Sequence, residues 1–219
     1  MPTLDAANNR RFSILSQGSK ITLQRFSGPI NNHTRKSKCI SRSLQKAILM
    51  KLENLLHEPN NNKKPFFIIL GQRNADKTVI VDELLKKHPV IPESNNGCIV
   101  KIHPIVSIKV PSRCREGELY NCILKKIQID YKQNDPPDQK RQAIERYFGY
   151  FHVEMLIVDN IHNALMGHSV RKKIFINAIT CLKDHLGIPI VLIGKASELI
   201  TIPEKLYISS NYVPVLLPK

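Results

Sequence analysis

The eight residues GQRNADKT, from Gly71 to Thr78, form the first pattern in this sequence that could carry out chemistry. They follow the apolar run PFFIIL and precede the helix-like segment VIVDELLKK. Phosphate-binding loops share the pattern G-x-x-x-x-G-K-[S/T], in which backbone N–H groups surround the phosphates, the Lys contacts the outer phosphates and the hydroxyl binds Mg²⁺. The spacing predicts a site for ATP and Mg²⁺ formed by Gly71, Asn74, Ala75, Asp76, Lys77 and Thr78. The alternative is an ordinary strand–loop–helix junction with a chance Lys-Thr pair.

Asp76 stands where the phosphate-binding pattern has its second glycine. Glycine lets the backbone approach a phosphate closely, whereas aspartate adds a Cβ and a negative charge. A carboxylate ~5 Å from a phosphate charge, at an effective dielectric constant of ~20, is repelled by roughly 3 kcal/mol. We therefore expect nucleotide binding to be weakened more than 100-fold or lost, unless Asp76 points away or pairs with Arg73.

A second candidate site residue, Asp159, directly follows the apolar run VEMLIV. In nucleotide-hydrolysing folds an aspartate at the end of such a strand holds Mg²⁺, and a glutamate after it polarises the attacking water. Here the next residue is Asn160, whose amide cannot act as a general base. We expect Thr78 and Asp159 to be the metal ligands and expect no catalytic base. The alternative role for Asp159 is that of a helix cap after a core strand.

The charge balance favours a polyanionic partner, because 33 Lys and Arg exceed 18 Asp and Glu and give a net charge of +15. Residues 1–65 hold 12 basic and 3 acidic residues, so the N-terminal arm is the densest basic segment. We expect non-specific phosphate contacts with DNA from this arm and from a run before the last long helix. The residues concerned are Arg35, Lys36, Lys38, Arg171, Lys172 and Lys173. Arg171 to Lys173 could equally be the solvated start of an amphipathic helix.

Other classes of function find little support in the sequence. The five cysteines form no C-x-x-C pair and their number is odd, so we expect reduced thiols rather than a zinc site or a disulfide framework. No apolar run approaches the ~18–20 residues of a membrane span. The N-terminus lacks the apolar core of a secretory signal, so a cytoplasmic location without membrane contact is expected.

From residue 65 onward, strand-like and helix-like segments alternate, which is typical of an α/β domain with a mainly parallel sheet. Ligands of such sheets bind at the carboxyl ends of the strands, so chemistry is expected just after Leu70, Val158 and Gly194. Strands are predicted at 65–70, 98–110 (one bent or two short), 153–158, 188–194 and 212–217. Helices are predicted at 41–57, 78–88, 116–129, 138–149, 170–186 and 195–202.

These segments together resemble the TniB/MuB-like, TnsC-related AAA+ ATPases that regulate DNA transposition. The likeness covers roughly residues 40–218 and is most specific in VEMLIVDNIHNALMGHSVRKKIFINAITCLKDHLGIPIVLIGKASELI. It implies a P-loop NTPase (AAA+-like) three-layer α/β domain at 41–219, preceded by a basic arm at 1–40. It further implies a parallel five-stranded sheet of order 5-1-4-3-2. The helical lid that follows in the family is expected to be absent.

The resemblance implies a nucleotide-binding accessory protein of DNA transposition, with DNA, a transposase and further copies of itself as partners. Several of the family's functional positions differ here. Asp76 and Asn160 replace a Gly and a Glu, and the sensor strand ends Gly194-Lys195 rather than Gly-Thr. We therefore expect ATP hydrolysis to be weak or lost. The alternative is a catalytically dead interaction module, or a truncated remnant, that contacts a transposase or another partner.

Overall fold

A computed structural model describes residues 42–57, 66–71, 76–95, 98–112, 114–166, 169–195 and 215–217. All of them belong to one compact unit of the chain. The proposed arm, 1–40, and its boundary lie outside the described residues, so this division of the chain stays a prediction. The helices are α1 (Arg42–His57), α2 (Asp76–Lys87), α3 (Glu116–Lys126), α4 (Pro137–Tyr150), α5 (His162–Leu165) and α6 (Ser169–Leu186). The strands are β1 (Phe66–Gly71), β2 (Ile91–Asn95), β3 (Cys98–Ile102), β4 (Ile105–Lys109), β5 (Met155–Asp159), β6 (Ile190–Lys195) and β7 (Val215–Leu216).

The main sheet has the order β4-β5-β6-β1-β7, and every pairing in it is parallel. Numbered within this sheet alone, that is the predicted order 5-1-4-3-2, which is confirmed. Four strands of five or six residues form nearly all of the sheet, because β7 contributes only two described residues. The strand β1 is buried along its whole length, as its uninterrupted apolar sequence predicts for a strand covered on both faces.

Helices cover both faces of the sheet and produce the predicted three layers. On one face, the side chains of α1 and α2 pack with Phe67, Ile69, Met155 and Val191. On the other, α3, α4 and α6 pack with the alternate strand residues, among them Ile68, Leu156 and Leu192. This alternation follows from the two-residue period of a strand.

The segment 98–110 consists of two strands, β3 and β4, separated by His103 and Pro104. Proline has no backbone N–H for the ladder, so the run is broken there. The strand β3 turns away from the main sheet and pairs antiparallel with β2, which the sequence analysis missed. Helix α5 was also missed, and the helix predicted to start at residue 195 is wrong at its start, because Lys195 belongs to β6. Residues 196–202 lie outside the described residues.

None of the helices among the described residues is both long and apolar enough to cross a membrane.

Candidate functional site

The phosphate-loop residues lie between the carboxyl end of β1 and the start of α2, as predicted. Helix α2 begins at Asp76, and the ammonium Nζ of Lys77 donates a hydrogen bond of 2.9 Å to the carbonyl of Gly71. Lys77 therefore reaches back from the first turn of α2 to the last residue of β1. Thr78 is exposed in the first turn of α2. Asn74, Ala75 and the side chain of Asp76 lie outside the described residues.

Gly71 is required by packing at the end of β1. A Cβ at this position would lie 2.9 Å from Leu217 Cδ1 and 3.0 Å from Leu217 Cβ, closer than side chains pack. The backbone of Leu217 is fixed there, because its N–H donates a 2.7 Å hydrogen bond to the carbonyl of Leu70. Close contact with the β7 segment therefore explains this glycine without reference to a ligand.

Asp159 ends β5 at the same edge of the sheet, and its carboxylate is half-buried. Its Oδ1 accepts a 2.6 Å hydrogen bond from the backbone N–H of Asn160. The backbone of Asn160 is left-handed, with φ of 60°, a conformation that asparagine tolerates better than most residues. Within the described residues no hydrogen bond to Oδ2 is found. The local hydrogen bond to Asn160 is the capping role that the sequence left open, and both roles are compatible.

Lys195 is a charged residue at the carboxyl edge of the sheet, and the sequence analysis did not include it among the candidate site residues. The register pairs Gly71 with Lys195, so the two Cα atoms are direct neighbours across β1 and β6. A second lysine thus lies beside the strand end to which Lys77 is bonded. The substitution at Gly194-Lys195 was visible in the sequence, but only the strand register shows that it adds positive charge next to the phosphate loop.

The carboxyl edge of the sheet therefore carries oxygen donors and lysines. One carboxylate and one hydroxyl suit Mg²⁺, which usually keeps several waters and takes further oxygens from phosphates. No cluster of three or more His, Cys, Asp or Glu residues that could hold a metal occurs in the part of the chain that the structure describes. Asp159 and Thr78 thus fit Mg²⁺ only together with a phosphate ligand.

The structure describes three of the six candidate DNA contacts. Arg35, Lys36 and Lys38 lie outside the described residues. Arg171, Lys172 and Lys173 form part of the first turns of α6, where Arg171 and Lys172 are half-buried and Lys173 is exposed. The three side chains do not share one face, because successive helix positions are about 100° apart.

Arg171 lines a cavity of about 510 Å³ where the first turns of α3, α4 and α6 come together. Arg115 and Lys140 line the same cavity, together with Glu116, Glu118 and Asp135. Each of these carboxylates already accepts a hydrogen bond, from Tyr120 Oη, the N–H of Arg115 and the N–H of Lys132 respectively. Neither guanidinium, of Arg115 or of Arg171, makes a hydrogen bond or ion pair with any described residue. The structure thus places Arg115 and Arg171 at one cavity, although no spacing signal in the sequence singled out Arg115.

Cys114, Cys122 and Cys181 are free thiols. Burial raises the pKa of Cys114 to about 12, and burial is also the main cause of the raised pKa values of Cys122 and Cys181. A thiol with a raised pKa is a poor nucleophile at neutral pH.

Comparison with solved structures supports the class that the fold and loop define. Cdc6p from Pyrobaculum aerophilum matches with a TM-score of 0.56 and 15% identity over 83% of this chain and 46% of that one. The ORC2 protein of Aeropyrum pernix in its ADPNP-ADP complexes matches at 0.56 and 11%, over 84% and 50%. The ORC1 protein of Aeropyrum pernix in complex with DNA matches at 0.56 and 11%, over 83% and 46%. This chain therefore spans about half the length of these structures.

The fold is that of an α/β P-loop NTPase of the AAA+ type. The sequence model described as bacterial TniB protein matches residues 31–219. The chain belongs to the TniB family, which confirms the resemblance found in the sequence. No curated protein matches it.

Proposed function

We propose that the chain is a nucleotide-binding accessory protein of DNA transposition that binds ATP weakly and hydrolyses it little or not at all. The observation that carries the proposal is the hydrogen bond from Lys77 Nζ to the Gly71 carbonyl, beside Lys195 on the next strand. This arrangement supports a phosphate site between β1 and α2. Membership of the TniB family supports a role in transposition.

Lys77 and Lys195 would contact phosphate oxygens, while Thr78 and Asp159 would hold Mg²⁺. Bound Mg²⁺ would neutralise charge on the phosphates. The negative charge of Asp76, the first residue of α2, would compete with phosphate for the positive end of that helix. This competition is the reason why we propose weak binding of the nucleotide. Asn160 orients Asp159 through its backbone N–H but supplies no base.

Titration of a fluorescent ATP analogue, with Mg²⁺ and with EDTA, tests the nucleotide site. Asp76→Asn removes the charge at nearly constant volume and should tighten binding by up to about 150-fold, from the ~3 kcal/mol of repulsion worked out above. Lys77→Ala should abolish binding. The double change Asp76→Gly with Asn160→Glu should increase the affinity for nucleotide more than it increases the rate of ATP hydrolysis. Robust ATP hydrolysis by the unmodified chain would contradict the proposal.

We also propose non-specific binding of duplex DNA through the basic arm and the first turns of α6. Because each phosphate contact contributes about −0.9 to the slope of log K against log salt, losing the arm's three contacts should flatten the slope by up to about 2.7. The loss at α6 should flatten it less, because Arg171, Lys172 and Lys173 do not share one face. Two triple alanine variants test this, one at Arg35, Lys36 and Lys38 and one at Arg171, Lys172 and Lys173. The double change Lys51→Ala with Lys86→Ala, on the helices of the other sheet face, is the control for loss of charge alone.

The binding curves are measured on duplexes of unrelated sequence from low to moderate salt. Contacts to phosphate position the duplex without reading its bases, so the affinities should be similar for all sequences. If both triple variants keep the affinity and the slope of the unmodified chain, DNA is not the partner of these surfaces. The interaction module, contacting a transposase or another protein, is then the better description.

A further inference from the structure

Four aromatic side chains and an arginine lie together at the amino edge of the main sheet, opposite the nucleotide site. They are His103, which precedes β4, and Arg146, Tyr147, Tyr150 and Phe151 at the end of α4; we call them the amino-edge patch. Backbone hydrogen bonds fix the patch to the strands, from the N–H of His103 to the carbonyl of Phe151 at 2.9 Å and from Met155 to Pro104 at 3.1 Å. Strands of five residues separate the patch from the carboxyl edge by about 16 Å.

The rings form a layered array rather than a buried cluster. Tyr147 stacks on Phe151 with centroids 5.9 Å apart and 20° between the planes, while Tyr150 meets the same Phe151 edge-on at 5.3 Å. The guanidinium of Arg146 lies over the Tyr147 ring at 4.8 Å. Tyr150 is 55% exposed, and Arg146 is exposed as well. Tyr150 and Arg146 are therefore the members of the array whose planar groups solvent reaches most.

The charges around the patch are mainly positive. Lys101 and Lys126 lie close enough to His103 to lower its pKa, after the larger effect of burial. Arg146 is a third cation of the patch, and Glu154, whose N–H donates a 2.9 Å hydrogen bond to the carbonyl of Pro104, is an acidic residue of the same edge. The cations and the exposed ring suit a partner that is anionic and presents flat aromatic faces.

We propose that the amino-edge patch binds unpaired bases of single-stranded nucleic acid. A base stacks on Tyr150 and a neighbouring base on the Arg146 guanidinium, while Lys101 and Lys126 contact the backbone phosphates. Aromatic side chains with adjacent positive charge are the usual means of sequence-tolerant single-strand binding. The bases of duplex DNA cannot stack on the patch, because their faces are already covered by the neighbouring base pairs. The patch lies at the opposite edge of the sheet from the first turns of α6, which follow the carboxyl end of β5.

The test compares a labelled single-stranded oligothymidylate with a duplex of equal length, using the full chain and variants of the patch. Tyr150→Ala should weaken single-strand binding about five- to tenfold, the low end of the effect of removing one stacking platform. Tyr150→Phe keeps the ring and is the matched control, with binding close to that of the unmodified chain. Arg146→Ala should weaken single-strand binding more than Arg146→Lys, which keeps the charge but loses the plane.

Intrinsic fluorescence gives a second readout, because the chain has six Tyr and no Trp. Adding the oligothymidylate should quench tyrosine emission, and Tyr150→Ala should remove part of that quenching. Duplex affinity should be the same for Tyr150→Ala and the unmodified chain, and far-UV circular dichroism checks that the variants are folded. Equal loss of single-strand and duplex binding, or no loss of either, overturns the proposal. In the second case the patch serves a protein partner instead.

Discussion

Replacing Gly194 by alanine should destabilise the fold, although the substitution is among the smallest possible. A Cβ at this position would lie 2.8 Å from Ile161 Cγ1, 3.2 Å from Ile161 Cδ1 and 3.3 Å from Leu70 Cδ2. Carbon atoms pack best at about 3.5–4.0 Å, so Ile161 would have to move by roughly 0.7 Å. Ile161 is 1% exposed, and its N–H is bonded to the carbonyl of Ile193 at 3.0 Å, so it has little freedom to retreat.

The expected cost of this overpacking is about 1–3 kcal/mol in the free energy of unfolding. A second substitution, Ile161→Ala, removes the side-chain atoms that would collide with the new methyl group. By itself it should lower the free energy of unfolding by about 2–5 kcal/mol because of the cavity it leaves. In the double variant the new methyl group no longer collides, so the combined loss should be smaller than the sum of the two by about 1–3 kcal/mol.

Urea unfolding followed by far-UV circular dichroism measures the cycle, since changes in midpoint at constant slope report stability. Gly117→Ala is the matched control, because a Cβ there meets nothing within 4 Å and the residue lies in α3. It should raise stability by about 0.5–1 kcal/mol, as expected for alanine in place of a helical glycine. Two results would refute the reasoning: a neutral or stabilising Gly194→Ala, or the same cost of Gly194→Ala with and without Ile161→Ala.

Two further predictions concern groups away from the nucleotide site. The pKa of His103 is lowered from 6.5, chiefly by burial and then by Lys101 and Lys126, so the folded chain favours the neutral ring. The stability that the neutral ring contributes is therefore complete above pH 6.5 and is lost as the pH falls through the lower pKa of the folded chain. The urea midpoint should fall over this pH range, and His103→Phe should make the midpoint depend less on pH. An unchanged pH dependence contradicts the assignment. Lys140 is 4% exposed and its Nζ donates a 2.7 Å hydrogen bond to the carbonyl of Gln133. Lys140→Ala should lower the free energy of unfolding by about 1–3 kcal/mol, and Lys140→Met, which keeps the stem, by less; equal losses would mean that packing of the stem contributes nothing.

Hydrophobic periodicity predicted most of the fold, because the buried strands and amphipathic helices have strong patterns. The helical spacing of Leu119, Ile123 and Ile127 predicts one buried face for the segment 116–129, and all three are buried. In α6 the spacing of Ile174, Ala178, Leu182 and Leu186 predicts one buried face. Ala178 and Leu182 are buried there, whereas Ile174 is 40% exposed and Phe175 and Ile179 are buried instead. That helix is apolar around much of its circumference, so periodicity alone did not fix its orientation against the sheet.

The β2–β3 hairpin was missed because IPESN has a proline and little β propensity. The dipeptide Asn96-Gly97 between the strands is a strong hairpin signal and could have revealed it. Local sequence patterns could not predict three features: the pairing of Lys195 with Gly71, the cavity around Arg171 and the amino-edge patch. Each depends on strand register or helix packing between segments far apart in the sequence.

The two glycines at the candidate site show which parts of the motif are diagnostic of nucleotide binding. Gly71 is required by contact with Leu217 and Gly194 by contact with Ile161, so both would be retained by a chain that binds no nucleotide. Lys77 and Asp159 differ, because each places a polar group at the carboxyl edge of the sheet, one bonded to Gly71 and the other to the N–H of Asn160. Under the proposed function we therefore expect Asp76→Asn and Lys77→Ala to change nucleotide affinity, because charge rather than packing sets their effect.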